Sequence, residues 1–159
     1  MPHVLTNIPV WVLPLFLGLL YISLRATRSR TVPKAVIYAL PCLGLLTLRT
    51  VIFFDAQWIA IGAFTLAYAA GTALGFRAQG KWTISSTRSH VSLRGEWMTM
   101  ITVMGVFFLN FATGTINAMA PSLAATPLYA AAFGTLAGGL SGIFFGRALR
   151  VMRTATGAT

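Results

Sequence analysis

The stretch LYAAAFGTLAGGLSGIFFGRAL, Leu128 to Leu149, carries no charge before Arg147 and is apolar throughout. A helix crossing a hydrocarbon core of roughly 30 Å needs about 20 such residues. Within this stretch Gly134, Gly138, Gly142 and Gly146 recur every fourth residue, which places them on one helical stripe. Small residues at that period let two helix backbones come close, the usual basis of helix association in lipid. An apolar segment of this length with a smooth face reads as a transmembrane helix with a partner.

Four further stretches have similar character: about Ile8 to Leu24, Ala35 to Phe54, Trp58 to Phe76 and Trp97 to Ala120. The third repeats the small-residue stripe with Ala63, Ala67, Gly71 and Gly75, so these two helices are expected to pack on each other, or one of them to form a homo-oligomer face. Pro14 and Pro41 lie within the first two segments, where a membrane helix tolerates proline if neighbours satisfy the freed carbonyl. The chain is 57% hydrophobic and 9% charged, with a mean hydropathy of +0.78. That composition does not suit a water-soluble globule. The expected fold is an all-α membrane protein, one transmembrane domain over residues 1–159 made of a five-helix bundle.

The cations give the orientation. Arg25, Arg28, Arg30 and Lys34 follow the first segment, Arg77, Lys81, Arg88 and Arg94 the third, and Arg147, Arg150 and Arg153 close the fifth; only Arg49 falls elsewhere. Short loops rich in Lys and Arg stay cytoplasmic, so the amino terminus is expected outside and the carboxyl terminus inside. No cation precedes the first apolar run and no small-residue cleavage site ends it, which marks it as a span rather than a signal peptide. Trp11, Trp58, Trp97 and Tyr129 sit near span ends, as interfacial aromatics do. A net charge of +10 would suggest nucleic acid in a soluble protein. Here the charges cluster between spans, which excludes that partner and points to anionic lipid headgroups at a basic cytoplasmic rim.

The connection from Arg77 to Glu96 contains two alternating pieces, Lys81 to Ser85 and His90 to Arg94, around a Ser/Thr-rich turn. They predict a short cytoplasmic β-hairpin between the third and fourth helices. Glu96 then falls at the first turn of the fourth helix, where a carboxylate complements the helix dipole.

Candidate chemistry is sparse. Arg49 lies 15 residues beyond Lys34, about 22 Å along a helix, and Asn110 is at a similar depth on the fourth segment. With Asp55, Thr113 and Asn117 as neighbours, Arg49 and Asn110 define a polar cluster toward the outer side. It reads either as an anion or headgroup site or as an interfacial arginine that snorkels to water at little cost. Cys42 is a lone thiol in apolar surroundings, expected to be an inert small hydrophobe. Met98, Met100 and Met104 with His90 have the donor types of a copper site, yet Met98 and Met100 point to different helix faces. His3 and His90 have no acid at a catalytic spacing. No catalytic residue, metal or cofactor is expected. The expected function is a non-enzymatic structural or accessory bundle, the alternative being a small transporter or channel subunit using Arg49 and Asn110.

Val32-Pro33-Lys34, then Val91-Ser92-Leu93-Arg94-Gly95-Glu96-Trp97, then Leu140-Ser141-Gly142-Ile143-Phe144-Phe145-Gly146-Arg147-Ala148-Leu149 together resemble a family of short bacterial inner-membrane proteins described only as a domain of unknown function. The likeness covers nearly the whole chain in its order of spans. Relatives tend to carry proline before Gly95 and serine after it, where this chain has Arg94 and Glu96. The resemblance implies a multi-pass protein of the bacterial inner membrane and no particular activity. A weaker likeness, in span and loop order, is to a cytochrome c biogenesis accessory family.

Overall fold

The computed structural model describes residues 12–33, 37–38, 47–86, 90–93 and 97–156. Five helices and three short strands follow in order: α1 (Val12–Ala26), β1 (Arg30–Pro33), α2 (Gln57–Trp82), β2 (Thr83–Ser86), β3 (His90–Leu93), α3 (Trp97–Met119), α4 (Pro121–Ala124) and α5 (Pro127–Thr156). Residues 37–38 and 47–52 are also helical. Among the described residues three helices, α2, α3 and α5, are long and apolar enough to cross a membrane. The first expected span is described from Val12 only, as a 15-residue helix. Half of the second, with Pro41 and Cys42, lies outside the described residues, as do Trp11, Lys34 and Glu96.

The helix ends differ from those expected. Hydropathy alone stops the third segment at Phe76 and the fifth at Leu149, but α2 runs on through Arg77 and Lys81 to Trp82 and α5 through Arg150 and Arg153 to Thr156. Charged residues end an apolar run without ending a helix, because Arg and Lys are good helix formers and complement a carboxyl-terminal dipole. The start of α5 is signalled locally: Thr126 Oγ1 accepts from the Tyr129 amide at 3.3 Å and Pro127 occupies the first helical position, where its missing N–H costs nothing.

Helices α2 and α5 form the spine. The glycines of α5 face α2 backbone in regular register: Gly134 opposite Ala60, Gly138 opposite Phe64, Gly142 opposite Tyr68 and Gly146 opposite Thr72, while Gly71 and Gly75 of α2 face Gly139 and Ile143. Both residue series ascend together, so the two helices run parallel. At all six glycines the direction a Cβ would take points at a carbonyl oxygen of the other helix; the Cα–H there is aimed at that oxygen, a weak hydrogen bond that recurs at such crossings. Ala67 lies on the same half of α2, partly buried.

The rest packs around this pair. α3 lies antiparallel to α5: Gly105 abuts the Leu140 side chain, and the Tyr129 hydroxyl donates to Thr113 Oγ1 at 3.0 Å. α1 meets α3 through Phe16, whose ring lies 5.4 Å from Phe107 and 6.1 Å from Phe108. Of the most apolar window of α5, 44% is buried, against 22% for α2 and for α3, so α5 is the central helix. One core cluster joins Val51, Ala60, Phe64, Ala130, Phe133 and Ala137; a second joins Ile37, Ala148 and Val151. Residues Ile37 and Val51 therefore contact opposite ends of α5. Large apolar side chains such as Leu66, Phe108 and Leu128 remain exposed, a surface suited to lipid. Thr65, Thr72, Thr102, Thr113, Thr115 and Thr135 each donate to the carbonyl four residues back, which satisfies hydroxyls inside apolar helices.

Tyr129→Phe is expected to lower stability by about 1 kcal/mol, the usual net worth of one such bond. Thermal unfolding in detergent micelles checks this. Adding Thr113→Val to the variant should cost little more if the two residues act as a pair.

At one end of the bundle the strands form a sheet in the order β1-β3-β2, all antiparallel. β3 pairs with β2 with an irregularity between Thr83 and Ser85, and with β1 on its other edge, Arg30 opposite Leu93 and Pro33 opposite His90. The strand bounds expected from alternation, Lys81 to Ser85, shift to Thr83–Ser86 because α2 takes up Lys81 and Trp82. Strand β1 had no signature: four residues ending in proline fit only an edge, where a missing donor is tolerated.

Candidate functional site

Two polar features occupy the sheet end of the bundle. The first is built on Arg147, expected from sequence to be a cation beyond the fifth span. It lies instead well within α5 and is 1% exposed. Its Nε donates to Gln79 Oε1 of α2 at 2.8 Å and its Nη1 to Thr99 Oγ1 of α3 at 2.8 Å. Gln79 and Thr99 are buried as well. One guanidinium thus ties together the three helices that, among the described residues, are long enough to span.

The placement follows from the glycine stripe. Gly146 seats the α5 backbone on the Thr72 carbonyl, so the next residue starts from a point of close helix contact and its side chain is enclosed rather than solvated. A buried cation is costly unless hydrogen-bonded, and bonds from an ionised donor are among the stronger ones. Chemically this arrangement fixes the relative positions of three helices. About one and two turns on, the Arg150 and Arg153 guanidinium carbons sit 5.0 and 5.2 Å from the Phe76 ring centroid, cation–π contacts that hold the carboxyl-terminal turns of α5 against α2.

The second feature is a groove of about 730 Å³ where α1 gives way to β1, lined by Tyr21, Arg25, Thr27, Arg28, Ser29 and Thr31 among others. Thr27 ends α1 by donating its hydroxyl to the Leu24 carbonyl at 2.8 Å. Thr31 and Ser92 share a hydroxyl hydrogen bond of 3.2 Å, which fastens β1 to β3 and with it one wall of the groove.

The residues expected to form an outer polar cluster lie on the surface of the bundle. Arg49, Asp55, Asn110 and Asn117 are all exposed. Asn110 donates to the Val106 carbonyl of its own helix at 2.8 Å, and Thr113 is taken up by Leu109 and Tyr129. Among the described residues no group of His, Cys, Asp or Glu side chains gathers as metal ligands would. Sequence reasoning missed Gln79, Thr99 and Arg147. The one available signal was that the four-residue glycine period continues to Gly146, so the helix is still in contact there.

Comparison with protein-family models, with curated proteins and with solved structures finds no match in any of the three.

Proposed function

We propose that this chain is a non-enzymatic structural or accessory protein of the bacterial inner membrane, a single bundle crossing five times with the amino terminus outside and the carboxyl terminus in the cytoplasm. The observation that carries the reading is the spine: α2 and α5 meet backbone to backbone along six glycines, and a core of Phe, Ala and Val fills the space beside them. Such contact suits a rigid element that partners lean on. Two further crossings are supported by α1, packed on α3 through Phe16, and by Ile37 and Val51, which contact opposite ends of α5.

The orientation is supported by charge. Because α2 and α5 run parallel, Arg77 and Lys81 lie at the same end as Arg150 and Arg153, and the sheet brings Arg25 and Arg28 to that end too. This is the end that the positive-inside rule assigns to the cytoplasm.

Labelling of single cysteines in intact cells, in a Cys42→Ala background and with a membrane-impermeant thiol reagent, tests both parts. Ala125→Cys, in the connection before α5, is expected to label and Lys81→Cys to be protected; the reverse pattern would overturn the orientation. Arg49→Cys and Asn110→Cys are expected to be protected, since both sit on the outside of the bundle. Labelling at both would instead mean a water-filled vestibule and would favour the transporter or channel subunit.

A further inference from the structure

Much of the basic end is already in use: Arg147 is buried between helices, and Arg150 and Arg153 stack on Phe76. Arg25 and Arg28 are different. Both are exposed, three residues apart where α1 ends, and both line the groove at the α1–β1 junction. The hydroxyl-bearing residues Tyr21, Ser29 and Thr31 line it as well, the Thr31 hydroxyl being shared with Ser92. Guanidinium forks flanked by hydroxyls are the donor set that recognises a phosphate diester. Among the described residues that line it there is no carboxylate, and the two guanidinium groups favour a ligand with net negative charge. At about 730 Å³ it falls within the range of roughly 300–1,000 Å³ typical of small-molecule sites.

What lies along α1 narrows the ligand further. Leu13, Leu17, Tyr21 and Leu24 follow one another at spacings of four, four and three, and so share one face. They are 63%, 54%, 67% and 50% exposed. This apolar track of about 16 Å leads into the groove, with Tyr21 and Leu24 belonging to both. A free phosphate has no use for it; an acyl chain does.

We propose that the α1–β1 groove binds the headgroup of an anionic phospholipid, its phosphate held by Arg25 and Arg28 and its acyl chain laid along Leu13, Leu17 and Tyr21. The inference rests on reading the chain as membrane-spanning with the end of α1 at headgroup depth, and it holds for either orientation of the bundle.

The test is native mass spectrometry of the full chain released from detergent micelles doped with phosphatidylglycerol or phosphatidylcholine. The wild-type chain is expected to retain phosphatidylglycerol in preference to phosphatidylcholine. Arg25→Gln with Arg28→Gln should weaken retention about tenfold or more, because the charge-assisted hydrogen bonds to the phosphate are lost with the guanidinium groups. Arg77→Gln with Lys81→Gln removes equal charge from the same end and should leave retention unchanged. Equal losses in both double variants would overturn the site in favour of diffuse attraction. Displacement of the lipid by soluble glycerol phosphate at matched concentration would overturn the lipid assignment in favour of a free anion. Micelles have no sides, so failure here is separate from failure of the cysteine labelling, which reads orientation in cells.

Discussion

Gly138→Ala is expected to destabilise the protein by about 3 kcal/mol, although alanine is the better helix former. The added methyl would lie 2.9 Å from the Cα of Phe64 and closer still to its carbonyl oxygen. Backbone cannot move aside as a side-chain tip can, so α2 and α5 must separate along the crossing. Inserting a methyl into a filled interface typically costs about 1–3 kcal/mol, and this site belongs at the upper end because separation also weakens the neighbouring glycine contacts. Gly62→Ala and Gly114→Ala are the controls, since nothing lies within 4 Å of a Cβ at either position. There the helix-propensity gain of up to about 1 kcal/mol is unopposed, and thermal midpoints in micelles should hold or rise. Equal behaviour of Gly138→Ala and Gly62→Ala would remove the spine as the source of stability.

The second large effect concerns the node around Arg147, and its sign distinguishes two accounts. Gln79→Leu keeps the buried guanidinium and removes the acceptor of its Nε. Hydrogen bonds to charged groups are worth about 1.5–3 kcal/mol, so a loss of about 2–3 kcal/mol is expected. Arg147→Met removes the charge together with its desolvation cost but also takes the donor from the buried Gln79 and Thr99 oxygens, and should lose about 1–2 kcal/mol. The double variant Gln79→Leu/Arg147→Met is then more stable than Gln79→Leu alone, a coupling that thermal unfolding of the four proteins measures directly. If Arg147→Met proves the most damaging of the three, the arginine is stabilising the bundle through more than these hydrogen bonds.

The helical bundle and its tightest interface were legible in the sequence because both rest on repeats that survive without context. Twenty apolar residues in a row and a glycine at every fourth position mean much the same wherever they occur. The glycines at 134, 138, 142 and 146 named the face, and Ala67, Gly71 and Gly75 its partner helix. What escaped was set by tertiary contact. Arg147 reads as a loop cation because hydropathy scores residues one by one, while its burial depends on Gln79 and Thr99 arriving from two other helices. Strand β1 has no alternation of its own and exists through the free edge of β3. Arg49 and Asn110 stand out by polarity inside apolar runs; both are exposed, and Asn110 donates to the Val106 carbonyl of its own helix.

The parallel arrangement of α2 and α5 also dictates an order of events during synthesis. Neighbouring helices in a chain pair antiparallel and can close as soon as the second is made. Two parallel helices cannot, because a full return crossing, here α3, has to be threaded between them. The face of α2 bearing Gly71 and Gly75 therefore enters the bilayer long before the glycines that cover it have been translated. Until α5 follows, that face is a smooth strip of backbone open to any small-residue helix nearby, so the insertion machinery must hold a half-built bundle whose most adhesive surface is still bare.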